Sequence, residues 1–127
     1  MSPIGAFTFV LHSHLPYARL AGRWPHGEEW IHEAATETYI PLLQVLHDLK
    51  DDGVNYHITI GITPILAEQL ADADVLDHLD QYLDDRIESA QLDMGYFEAE
   101  KTADKHLRFL AEWYLGWYSK IKQNFDV

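Results

Sequence analysis

The sequence predicts an α/β chain: two parallel strands and several helices. Three observations carry this. Ala6–Leu11 is an apolar run rich in Phe and Val, which suits a strand buried on both faces. Tyr56–Ile62 places Ile58, Ile60 and Ile62 on one face and Thr59 on the other, the alternation of a second strand. Between and after these runs, apolar residues recur at three- and four-residue spacing, the period of amphipathic helices.

The first strand ends at the polar run His12-Ser13-His14, and Leu15–Gly27 is irregular, broken by Pro16, Gly22, Pro25 and Gly27. Helical periodicity begins near Glu28, with Ala35, Tyr39, Leu42, Leu46 and Leu49 on one side. Pro41 removes a backbone donor inside that pattern and is expected to kink or split the helix. Gly53 after Lys50-Asp51-Asp52 is a C-terminal stop. Strand, helix and strand then make one βαβ unit, which implies parallel strands with a right-handed crossover.

Residues 64–127 read as mostly helical. Pro64 can open a short helix through Leu70. Asp72 or Asp74 can cap the next, with Val75, Leu79, Tyr82 or Leu83, and Ile87 on its apolar side. The last helix carries Leu107, Leu110, Tyr114, Trp117, Ile121 and Phe125 as a stripe. The chain stops at Val127 without Gly, Asn or Pro to close that helix, which suggests a cut chain. Two strands alone leave sheet faces and edges without neighbours, which invites aggregation.

Composition removes several function classes. The 127 residues suffice for one compact domain but not for a full (β/α) barrel, which needs about 250. Cysteine is absent, so there is no disulfide framework and no thiolate metal site. No run approaches the about 20 apolar residues of a spanning helix, and the N-terminus lacks a signal-peptide pattern. A cytoplasmic protein is the expectation. Asp and Glu number 21 against 9 Lys and Arg, a formal charge of −12. Such a surface repels nucleic acid and anionic membranes, whereas a neutral substrate is indifferent to it.

The densest chemistry is His12-Ser13-His14-Leu15-Pro16-Tyr17 at the first strand's C-terminal end, where ligands of α/β folds gather. In extended backbone His12 and His14 share a side. They can be metal ligands, hydrogen-bond donors in a polar pocket, or satisfied polar residues at a strand end. No third or fourth ligand lies at a recognisable spacing. Sharper motifs fail. His32-Glu33-Ala34-Ala35-Thr36 begins like H-E-x-x-H but ends in Thr, and Ser13 faces away from its histidine neighbours. G-x-G-x-x-G, the P-loop and G-x-S-x-G are absent. Glu28-Glu29 and Asp84-Asp85 splay apart on a helix and read as solvated or helix-capping acids, not as a glycosidase pair held about 5–5.5 Å apart. Trp24, in the breaker-rich Gly22–Glu28 loop, is either a hydrophobic anchor or a flat platform for a ligand such as a sugar ring. Trp113, Tyr114 and Trp117 read as core and interface, and His47, His57, His78 and His106 as surface or structural residues.

Phe9-Val10-Leu11-His12-Ser13-His14-Leu15-Pro16-Tyr17-Ala18-Arg19 resembles the first signature of glycoside hydrolase family 57 in its branching-enzyme form. Three further blocks match in order: Trp24–Trp30, Glu37–Leu43 and Thr63–Leu70. The resemblance implies the N-terminal part of an incomplete seven-stranded (β/α) barrel, with strands near residues 6–12 and 56–62. It implies a parent enzyme that cleaves an α-1,4-glucan and transfers the piece to a 6-hydroxyl. The mechanism is retaining, with a Glu nucleophile and an Asp acid/base on strands downstream of this chain. No catalytic residue is therefore expected here, and no metal or other cofactor. His12 and His14 would line the subsite around the scissile bond, Trp24 would wall the donor sugar, and Tyr17 and Arg19 would complete the substrate-binding set. A family 57 α-amylase or 4-α-glucanotransferase, a non-catalytic carbohydrate-binding remnant and a His-pair metalloenzyme are the alternatives.

Overall fold

A computed structural model describes residues 4–5, 7–99 and 104–125. Two strands, β1 (Val10–Ser13) and β2 (Thr59–Ile62), pair in parallel, with Val10 opposite Thr59 and Ser13 opposite Ile62. The Thr63 amide donates to the Ser13 carbonyl and extends the ladder by one bond of 3.2 Å. Both strands are shorter than the sequence predicts. Phe7–Phe9 and Tyr56–Ile58 carry no strand pairing, and Ala6 lies outside the described residues. Nor is the apolar run buried on both faces: Phe9, before β1, is 50% exposed and Val10, its first residue, 66%. Among the described residues β1 has one neighbour, so only the span facing β2 gains ladder bonds and cover.

The helix expected from Glu28 runs as α1 (Glu29–Ala34), a π-helical stretch (Ala35–Tyr39) and α2 (Ile40–Asp51). The Pro41 ring would clash with the carbonyl four residues back, and Pro41 has no amide to donate. A widened π turn directly before α2 accommodates it, so the chain neither stops nor splits there. At the C-terminus, Gly53 takes φ +72°. The Val54 amide donates to Leu49 O at 2.9 Å and that of Gly53 to Lys50 O at 3.0 Å. This paired closure needs a left-handed residue at position 53, which glycine adopts at least cost.

Helix α3 (Pro64–Leu70) starts at the expected proline. Of the two candidate caps for α4 (Ala73–Ala99), Asp72 does the work: its Oδ1 accepts from the amides of Asp74 at 3.1 Å and Val75 at 3.2 Å. Helix α5 (Lys105–Phe125) packs against α4, and Asp104 Oδ1 accepts from the His106 amide at 2.9 Å. The main core lies between these helices and the π stretch: Ala35, Leu79, Leu83 and Ile121 are buried, with Tyr39, Tyr82, Trp117 and Phe125 packed around them. Lys122 clamps the pair through Asp80 at 2.7 Å and Asp84 at 2.8 Å. The outer stripe residues Leu107 and Tyr114 are 43% and 45% exposed, so the apolar face of α5 is only partly used. A smaller core of Ala18, Ile31 and Val75 joins the loop after β1 to α1 and α4. No described helix is long and apolar enough to cross a membrane.

Candidate functional site

The end of β1 is built as its sequence alternation requires. His12 and His14 are exposed on one side, their rings 6.4 Å apart and within 8° of parallel. Ser13 faces the other way, into an apolar recess with Tyr39, Leu42, Ile60 and Leu66. The two imidazoles therefore present adjacent hydrogen-bonding edges at the strand's C-terminal end. Among the described residues no three His, Cys, Asp or Glu side chains are grouped so as to hold a metal ion.

The chain leaving β1 is held by one side chain from α3. Gln69, fully buried, accepts at Oε1 from the amides of Ala18 (2.6 Å) and Arg19 (3.1 Å). Its Nε2 donates to the carbonyls of Pro16 (3.2 Å) and Ile65 (3.2 Å). Every hydrogen-bonding position of the amide is thereby used, which is what a buried Gln needs. Tyr17 stands half exposed at 49%. Arg19 pairs with Asp72 and, at 3.6 Å, with Glu68. Its guanidinium thus also ties the loop to the α3–α4 junction.

The following loop turns on three left-handed residues, Leu20 (φ +67°), Gly22 (φ +93°) and Gly27 (φ +84°). A Cβ at Gly27 would collide with Gly22 O, so this close approach admits glycine alone. Trp24 projects from the loop, 73% exposed. It walls a cleft of about 410 Å³ that it shares with Glu29, His32, Gln81, Tyr82 and Arg86. His12, His14, Tyr17 and Arg19 are not among the residues lining this cleft. Of the predicted site residues, Trp24 alone lines this cleft, and His12 and His14 pair with each other at the end of β1.

One sequence expectation is overturned here. Glu28 and Glu29 are not solvated acids; they are 5% and 6% exposed. Nor does Glu28 cap α1: its Oε2 lies 2.6 Å from His78 Nδ1, on α4. The burial comes from α4, fifty residues further along the chain, and no local pattern announces it. His32, set aside with the failed H-E-x-x-H motif, is 2% exposed, and its Nε2 has no hydrogen-bond partner. Its ring packs 5.3 Å from that of Tyr82, over which the Arg86 guanidinium sits at 5.0 Å. Arg86 Nε is likewise buried without a partner. Burial lowers the His32 pKa to about 4, against the opposing pull of Glu28. The one signal available in the sequence was its position on the buried face of α1, one residue after Ile31.

Two parallel strands with helices packed around them make this an α/β protein. Residues 8–126 match the profile of glycosyl hydrolase family 57, and the chain belongs to that family. Among individual proteins, it is 42% identical over 115 residues to a 1,4-alpha-glucan branching enzyme of Thermococcus kodakarensis, a match spanning 89% of this chain and 17% of that protein. The crystal structure of a GH57-type branching enzyme from Pyrococcus horikoshii superposes with a TM-score of 0.85 at 39% identity, over 94% of this chain and 22% of the other. An alpha-amylase from Thermotoga maritima superposes with a TM-score of 0.78 at 30% identity, over 94% and 22%. The chain thus spans about a fifth of the length of these relatives and corresponds to their N-terminal parts.

Proposed function

We propose that these residues are the N-terminal portion of a glucan branching enzyme on an incomplete (β/α)7 barrel. The full polypeptide would cleave an α-1,4-glucan and transfer the released piece to a 6-hydroxyl through a covalent glycosyl-enzyme. The nucleophilic Glu and the acid/base Asp would lie on strands beyond this chain. Here His12 and His14, with Tyr17 and Arg19, would hold the sugar at the scissile bond through hydrogen bonds, and Trp24 would stack on a donor sugar. The carrying observation is the exposed, side-sharing histidine pair at the end of a parallel strand, in a chain 42% identical to a branching enzyme. Branching is favoured over α-amylase activity because the match to branching enzymes is closer than the 30% shared with the amylase structure. A cytoplasmic location fits a soluble store of glucan as substrate.

The test is iodine staining of amylose. The full polypeptide is expected to lower the absorbance of the amylose–iodine complex, and linkage analysis to find new α-1,6 bonds. His12→Ala is expected to slow this roughly 100-fold, the effect of removing one hydrogen-bond donor from a charge-developing centre. The purified 127-residue chain is expected to leave the stain unchanged. Strong branching by that chain alone would overturn the assignment of catalysis to later strands, and products free of α-1,6 bonds would favour the amylase or glucanotransferase reading.

A further inference from the structure

Glycine is costly inside a strand, because it adds entropy to the unfolded chain and packs no side chain. Gly61 nevertheless sits within β2 (Thr59–Ile62). The backbone does not ask for it. Gly22, Gly27 and Gly53 take left-handed φ values, and Gly61 does not. Its neighbours Ile60 and Ile62 line the apolar recess that Ser13 enters. Alternation therefore turns position 61 to the opposite face, the one that carries the histidine pair.

The register names its counterpart. Gly61 lies opposite His12 across the parallel ladder. A Cβ at Gly61 would lie 3.4 Å from His12 Nδ1. Among the described residues, chain neighbours aside, the only other heavy atom within 4 Å of that point is the Leu11 carbonyl oxygen, at 3.7 Å. The imidazole therefore leans from β1 toward β2 and rests beside the place where a side chain would stand. There it lies within 8° of parallel to the His14 ring, 6.4 Å away. His12 is exposed, and an exposed ring moves among its staggered rotamers unless its surroundings select one.

We propose that Gly61 is a positioning residue for the reaction: by having no side chain it provides the seat that fixes the His12 imidazole at the end of β1. The inference rests on the glucan reading above, in which His12 holds the sugar at the scissile bond. A β-branched residue at position 61 would put a methyl group against the ring. The strand would not yield, since Val suits a strand better than Gly does. The exposed ring would yield, by swinging to another rotamer away from β2. Gly61 thus acts on the reaction through His12 and not on the bond being broken.

The experiment places Gly61→Ala and Gly61→Val in the full polypeptide, each alone and combined with His12→Ala, and follows branching of amylose. The Cβ of Gly61→Ala only reaches contact distance, so kcat is expected to fall about threefold or less. Gly61→Val is expected to lower kcat roughly 30-fold, with KM within about twofold and a melting temperature no lower than the parent's. In the His12→Ala background, Gly61→Val is expected to change kcat by less than about twofold, because the ring it displaces is already gone. A crystal structure of the Gly61→Val polypeptide is expected to show the imidazole moved away from β2. Parental kcat in Gly61→Val, equal losses with and without His12, or an imidazole still seated beside position 61 would overturn the seat and leave the branching reading intact. So would a Gly61→Val protein that melts well below the parent, since the strand and not the ring would then be the part that yields. A parent that cleaves amylose without forming α-1,6 bonds would overturn the branching reading alone, with the same comparisons made on cleavage. A parent that leaves amylose untouched would overturn both.

Discussion

The helical layer and the two-stranded sheet solve the same problem to different degrees. Between α4, α5 and the π stretch, Leu83 is 0% and Ile121 2% exposed, and Lys122 bridges the two helices. On the sheet, Val10 and Ile62 are 66% and 54% exposed although the residue types are as apolar. Helices satisfy their own backbone and need only one partner face, whereas a parallel strand needs neighbours on two edges and cover on two faces. The region that completes its own core is therefore the scaffold. The region that carries the histidine pair depends on whatever else packs against it.

Substitution should expose the contrast most strongly in the cores. Leu83→Ala is expected to cost about 3 kcal/mol in urea unfolding, through lost burial and the cavity left behind. Val10→Ala is expected to cost under about 1 kcal/mol, since two-thirds of that side chain is already in water. Equal costs would erase the distinction between the two regions. The seam between them gives the next largest effect. Gln69→Met retains bulk but strands the amides of Ala18 and Arg19, and should cost about 2 kcal/mol. A loss within a few tenths of a kcal/mol would mean that this loop is held by Arg19 and apolar packing instead.

A pH effect at His32, on α1, follows. His32 has a folded pKa of about 4, below the 6.5 of the unfolded chain, so the unfolded state binds the extra proton first. Its contribution is complete above about pH 6.5 and is lost as pH falls from there toward 4. After discounting for screening, this amounts to about 1–2 kcal/mol across the window. Thermal melts of the parent and of His32→Gln should converge as the pH is lowered through that range. Parallel curves would show that His32 does not titrate with folding.

Much of this was legible from local rules. Period-two alternation put His12 and His14 on one side; Pro64, Asp72 and Gly53 marked helix ends that form where expected. Local rules failed where distant segments decide. Glu28, Glu29 and His32 look like the polar start of a surface helix until α4 covers them. The strands shrank for the same reason, because pairing is a property of two segments and not of one apolar run. Pro41 disturbs the helix as its missing donor predicts, but nothing local distinguishes a break from a π turn that absorbs it.

The Gln69 clamp has a consequence for variation. It grips the backbone groups of Pro16, Ala18 and Arg19 and no side-chain atom of that loop. The path of the loop beside the histidines is thus encoded separately from the chemistry displayed on it. Side chains at positions 17 and 19 can be exchanged with the main chain still templated in place. Tyr17 is the freer of the two, because Arg19 also holds Asp72. This makes the loop a mount on which substrate preference can be retuned one residue at a time, with Gln69 as the residue that cannot be traded.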